Sequence, residues 1–199
     1  MMALKKITQE EFDALPIVDG VRQCPTADYS LIRVFPSKCS FGEGCSFGER
    51  CSFGKGCSFG KGCSFGKGCI FGKGCSFGEW CIFGEWCSFG ERCSFGEWCI
   101  FGEWCIFGKG CGFGEGCSFG KGCTILGHRL NRQYVQSLSG LGREKRTLYV
   151  WDTQDGWYIQ IGCRFDTEEE VLKAVRNEYG MNSDYERSIQ FLKSIKAGE

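Results

Sequence analysis

A mainly β fold, a parallel β-solenoid followed by a small ββαα unit, is predicted by three features of the 199-residue sequence. From Cys39 to His128, fifteen consecutive hexads begin with Cys and fourteen of them read C-x-F-G-x-x. A short fixed period without insertions marks a fold whose stability comes from stacking each coil on the next. Within the hexad, C-S-F is a three-residue strand in which Cys and Phe share one face and the residue between them faces away. Finally, CSFGEWCIFGEW at 75–86 recurs verbatim at 93–104, a displacement of 18 residues. That displacement favours a three-sided coil of three hexads. A flattened two-sided coil of two hexads stays open on the period alone.

Residues 1–38 read as an N-terminal helix and cap. Thr8-x-x-Glu11 is a capping box opening a short helix that carries Phe12 and Leu15. Tyr29 and Phe35 keep the phase of Phe41, so an imperfect first coil covers the open end that a solenoid must protect. Residues 39–128 are the solenoid proper. Cys and Phe alternate a small with a large inward side chain, Gly supplies freedom at the corner, and the corner positions take Glu, Lys, Arg or Trp. The last hexad, Cys123–His128, keeps the phase with Ile125 in place of Phe. Residues 129–144, with Gly140 and Gly142, read as a linker. Residues 145–199 form the ββαα unit. Two aromatic-rich strands flank an Asp155-Gly156 turn. Thr167-x-x-Glu170 then caps a helix carrying Val171, Leu172, Val175 and Tyr179, and Ser183-x-x-Glu186 caps another carrying Ile189, Leu192 and Ile195.

Read from Phe, the unit F-G-x-x-C-S resembles the hexapeptide pattern of left-handed β-helix proteins, with Phe where Leu, Ile or Val is usual. The resemblance implies a left-handed triangular coil, about five coils at the interstrand spacing of about 4.8 Å, and a stack about 25 Å tall. The chain is also similar to phage- and prophage-borne CSFG-repeat proteins, through Ile7–Pro16 (ITQEEFDALP), Gln23–Thr26 (QCPT) and Cys163–Glu170 (CRFDTEEE). That group has no assigned activity. It implies the cytoplasm of a bacterial or phage-infected bacterial cell.

Twenty-four acidic and 24 basic residues leave no net field to attract nucleic acid or an anionic membrane. No apolar run approaches the roughly 20 residues of a membrane span. Seventeen Cys would suit a secreted disulfide scaffold, but MMALKKITQEEF shows no signal peptide, so a reducing cytosol and free, buried thiols are expected. Close C-x-x-C pairs are absent, and neither a metal nor a cofactor is expected.

Trp80, Trp86, Trp98 and Trp104 replace Gly or Arg at corners, and Ile82 and Ile100 replace outward Ser. The fold requires neither change, and exposed apolar clusters rich in Trp mark interfaces. These six residues predict a non-enzymatic scaffold that binds a protein partner or a second copy of itself. Coverage by the C-terminal unit is the competing structural explanation. His128, the only histidine, carries the alternative of a hexapeptide-repeat acyltransferase with a CoA-type donor, which the β-helix resemblance implies. No carboxylate is recognisably placed to orient it, and a surface histidine beside Arg129 and Arg132 is the plainer reading. Arg143, Lys145 and Arg146 read as solvated linker, and Glu79, Glu97 and Glu115 as one acidic edge.

Overall fold

A computed structural model describes residues 3–131, 136–142, 146–161 and 164–195. It comprises two compact units, Met1–Gly127 and His128–Glu199.

The first unit is a β-solenoid of about six turns. Its short strands stack in three parallel sheets with partners 18 residues apart, for example Ser58↔Ser76↔Ser94, Ser64↔Ile82↔Ile100 and Ile70↔Ser88↔Ile106. The coil is therefore three-sided. We call the sheets through Phe77, Phe83 and Phe89 the first, second and third faces. Backbone bonds join coils in both directions: Ser76 N–H donates to Cys57 O (2.9 Å) and Gly78 N–H to Phe59 O (2.8 Å), whereas Trp80 N–H donates forward to Glu97 O (2.9 Å).

The repeat Cys and Phe side chains fill the interior, and all are buried. Phe rings 18 residues apart stack nearly parallel, as in Phe65–Phe83 (4.9 Å, 2°). Rings of one coil meet edge to face, as in Phe77–Phe83 (5.0 Å, 87°). Both arrangements suit the ring quadrupole and add about 0.5–1.5 kcal/mol per pair to the burial itself. Phe fits here because each ring finds aromatic partners beside and along the stack. The fourth hexad position must be Gly for a different reason: a Cβ on Gly96 would lie 2.6 Å from Glu79 N and 2.7 Å from Gly78 C of the preceding coil.

Tyr29 and Phe35 extend the aromatic columns, stacking on Phe47 (5.4 Å, 13°) and Phe53 (4.6 Å, 4°). Their coil accounts for a turn beyond the five complete repeat coils. Helix α1 (Gln9–Asp13) closes this end through Phe12, whose ring meets Phe35 edge-on at 5.4 Å. Both bonds of its capping box form, Glu11 N–H to Thr8 Oγ1 (3.2 Å) and Thr8 N–H to Glu11 Oε2 (2.9 Å). A hairpin, Ile17–Val18 with Val21–Cys24 around Asp19-Gly20, was not anticipated. Its second strand pairs with Cys39–Phe41 and starts the first face.

The second unit corrects two expectations. Residues 129–144 were expected to be a linker, yet Gln136–Leu141 is a strand paired with Arg146–Thr153. Its glycines are structural. Gly140, at φ 82°, lies where the pairing slips between Leu138 and Leu141, the bulge that a left-handed residue permits. The expected ββαα order is also incomplete, because Arg164–Thr167 adds a fourth antiparallel strand beside Gly156–Ile161. Helices α2 (Glu168–Tyr179) and α3 (Asp184–Ser194) follow, capped by Thr167 and Ser183. Leu148, Val150, Ile159 and Ile161 of the sheet pack with Val171, Val175, Tyr185, Ile189 and Leu192 of the helices. Among the described residues, no helix is long and apolar enough to cross a membrane.

Candidate interaction surface

The six Trp and Ile residues converge on the second face. Ile82 and Ile100 are adjacent partners at its middle. Trp80 and Trp98 occupy the corner that leads into this face, and Trp86 and Trp104 the corner that leaves it. Each pair stacks, Trp80 on Trp98 at 5.7 Å and 13°, Trp86 on Trp104 at 5.5 Å and 12°. Trp80, Trp86 and Trp98 are 49, 52 and 45% exposed, and Ile82 and Ile100 are 51 and 48% exposed. Trp104 is half-buried.

The corner backbone opposes tryptophan. All four have φ near 60°, the left-handed region that equivalent positions in most other coils fill with Gly. A side chain there costs about 1–2 kcal/mol relative to Gly, and bulky residues adopt it rarely. The indoles find room by lying over the next coil. A Cβ on Gly116 would fall 2.4 Å from Trp98 Cε3, and one on Gly122 would fall 2.5 Å from Trp104 Cε3. Arg50 and Arg92 behave alike, their Cγ atoms 3.5 Å from that position on Gly68 and Gly110. Sequence reasoning missed this rule, although the 18-residue register carries the signal: a long corner residue is followed one coil later by Gly or another Trp.

The three faces differ. The first presents Ser40, Ser58, Ser76 and Ser94. The third interleaves exposed Ile70 and Ile106 with Ser52 and Ser88, an apolar feature weaker for want of adjacent Ile partners. Acid rims the second face. Glu79 and Glu85 pair with Lys61 (3.3 Å) and Lys67 (3.0 Å) of the preceding coil. Glu97, Glu103 and Glu115 form no ion pair among the described residues.

Every described cysteine is free and buried. From Cys57 to Cys123, each repeat thiol whose bond is described reaches a carbonyl 21 residues earlier at 3.3–3.5 Å, such as Cys63 Sγ to Gly42 O and Cys105 Sγ to Gly84 O. Only a protonated thiol can donate that bond, and a thiolate would face an oxygen lone pair instead. Contact with the next thiol of the column, then burial, raises Cys45 (against Cys63) and Cys51 (against Cys69) above the ordinary thiol value. Cys93, against Cys111, is pushed up to about 12. The ladder is thus both core filler and a partner for the corner carbonyls.

His128 opens the short strand His128–Arg129, just past the left-handed turn at Leu126 and Gly127, rather than occupying a corner itself. The expectation that no carboxylate orients it fails: Asp155 Oδ2 lies 2.9 Å from His128 Nδ1, and the ring stacks on Tyr158 at 4.0 Å. The segment from His128 runs antiparallel to the 152–155 turn, with Asn131 N–H donating to Asp152 O (2.9 Å), which brings together residues 27 apart. Arg132, Arg143, Lys145 and Cys163 lie outside the described residues. Compared with protein-family models, curated proteins and solved structures, the chain matches none.

Proposed function

We propose that the solenoid is a non-enzymatic interaction scaffold whose second face binds a protein segment in a reducing, cytosolic compartment. One observation carries the reading: four tryptophans occupy left-handed corners where the same fold mostly uses Gly and twice Arg, so their presence runs against local backbone preference. Residues held in sparsely populated conformations cluster where something other than folding selects them. Two stacked indole pairs flanking Ile82 and Ile100 supply the rigid aromatic anchors on which interfaces concentrate their energy. The free thiols fit a reducing compartment.

Site-specific photocrosslinking in the producing cell tests it. A benzoylphenylalanine at position 82 or 100 is expected to give one discrete adduct, and the same probe at Ser58 or Ser76 of the first face none. Equal yields from both faces, or no adduct from the second, would sink the proposal.

The His128–Asp155 pair supports a second reading, acyl transfer with His128 as general base, because Asp155 holds Nδ1 and leaves Nε2 to act. A CoA-type donor that binds the folded chain must raise its melting temperature. Acetyl-CoA at millimolar concentration giving no shift removes this alternative.

A further inference from the structure

We infer that the segment bound by the second face is cationic, with arginine side chains placed at both Trp edges and apolar residues over Ile82 and Ile100. The inference rests on the interaction reading and adds the partner's chemistry.

Size argues first. A half-exposed aromatic or Ile side chain offers roughly 100 Å², so the exposed apolar part of this face is on the order of 500 Å². A standard interface buries roughly 800 Å² per partner. The patch suits a short extended segment better than a globular surface.

Charge argues next, and against a second copy. With two solenoids packed face to face and running in opposite directions about the Ile82/Ile100 centre, Glu79 meets Glu97 of the other chain and Glu85 meets Glu103. With both running in the same direction, Glu79 meets Glu85 and Glu97 meets Glu103. Either pairing sets Glu97 and Glu103, which have no ion pair among the described residues, against another carboxylate across a desolvated surface, Lys-paired Glu79 and Glu85 in the first case and each other in the second, which costs affinity. A cationic segment instead meets the unpaired Glu97 and Glu103 beside the indoles.

Local geometry supplies the seat. Trp80 rests on Trp98, and the corner one coil earlier is Gly62, around which no atom lies within 4 Å of a built Cβ. Gly62 therefore places no side chain of its own on the N-terminal side of Trp80. Guanidinium stacks on indole better than ammonium does and pairs with carboxylate in the same plane. One side of the coil is a hexad, at most about 20 Å of extended chain, which sets the spacing of the two arginines.

The test uses the full chain and three fluorescent peptides, identical except for their ends: leucine and glycine in the middle, with arginine, lysine or glutamate at both ends. Anisotropy is expected to show binding in the order arginine, lysine, then no detectable glutamate binding. The arginine affinity should fall at least about tenfold in the Glu97→Gln/Glu103→Gln variant and on raising salt from about 50 to about 500 mM. Trp80→Gly, which leaves a residue suited to the corner, should weaken it similarly while the melting temperature holds. Equal binding of the arginine and glutamate peptides, an unchanged affinity in the double variant, or binding of no peptide overturns the inference. If all three bind alike and Trp80→Gly weakens them all, the interface stands and the cationic partner falls. If Trp80→Gly changes nothing while the second-face crosslink is also missing, both fall.

Discussion

The solenoid and the C-terminal unit bury their interiors on different principles. The solenoid repeats one environment, so a Cys or Phe in any coil has the same neighbours 18 residues away on either side. The C-terminal unit packs nine side chains of four kinds, each in its own surroundings, and encloses a carboxylate, Glu186, held by Arg176 Nε (3.1 Å) and by the Asn182 N–H (2.9 Å). Repetition supplies an internal control. A residue that departs from its column in the solenoid is visible as a departure, whereas a unit built once has no baseline against which Glu186 or His128 would stand out.

The comparison breaks most sharply with pH. Unfolded thiols ionise near pH 8.5, while contact with neighbouring thiols and burial raise Cys45, Cys51 and Cys93 in the fold. The folded state keeps protons that the unfolded state releases. Stability from the neutral ladder is therefore complete below about pH 8.5 and drains as pH climbs toward the folded values. Each thiol so raised contributes a slope of about 1.4 kcal/mol per pH unit, so Cys45, Cys51 and Cys93 together give about 4. Amide hydrogen exchange between pH 8 and 11 is expected to show the solenoid losing protection cooperatively, well ahead of the C-terminal sheet. Equal loss in both units would refute the neutral ladder.

Point substitutions in the solenoid come next. Phe83→Ala removes a ring stacked on both sides, and about 4 kcal/mol is expected in chemical denaturation. The two classes of glycine should separate. Gly96→Ala drives a Cβ into backbone that cannot yield, for about 3 kcal/mol or more. Gly74→Ala meets no atom within 4 Å and suffers only the left-handed penalty, about 1 kcal/mol. Equal costs would mean that the coils are not in contact at the fourth hexad position.

At the acid end the order of the units reverses. The Arg176 hydrogen bond, with the Asn182 N–H behind it, holds the Glu186 carboxyl below the usual carboxylate range. Its contribution is present above the unfolded value of about pH 4.3 and disappears as pH falls through the lowered folded value. Hydrogen exchange below pH 4 should expose α2 and α3 first, and Glu186→Gln should remove that acid dependence while leaving the solenoid unchanged.

How much of this the sequence carried follows the same division. The three-sided register, the inward Cys and Phe, and the Trp80–Trp98 and Trp86–Trp104 pairs follow from an 18-residue copy, because in a stack with a fixed period sequence separation is spatial adjacency. The thiol-to-carbonyl bonds did not, since a period says which residues stack and not which atoms face each other. In the C-terminal unit, two glycines that looked like a linker proved to be a bulge and a turn at the end of a strand. The His128–Asp155 contact spans 27 residues with no period to predict it.

The smallest expected effect bears on the largest claim. Trp98→Gly removes one indole stack, worth about 0.5–1.5 kcal/mol, and relieves a left-handed side chain that costs about 1–2. The two nearly cancel, so the melting temperature should move by only a few degrees in either direction. Installing tryptophan at Gly74, where the same backbone is bare and the position one coil later is Arg92 rather than Gly, should destabilise by more than the left-handed penalty alone, because the new indole would have no glycine to lie over. If Trp98→Gly instead cost several kcal/mol, the indoles would be part of what holds the coils together, and the argument that they are present for a partner would lose its footing.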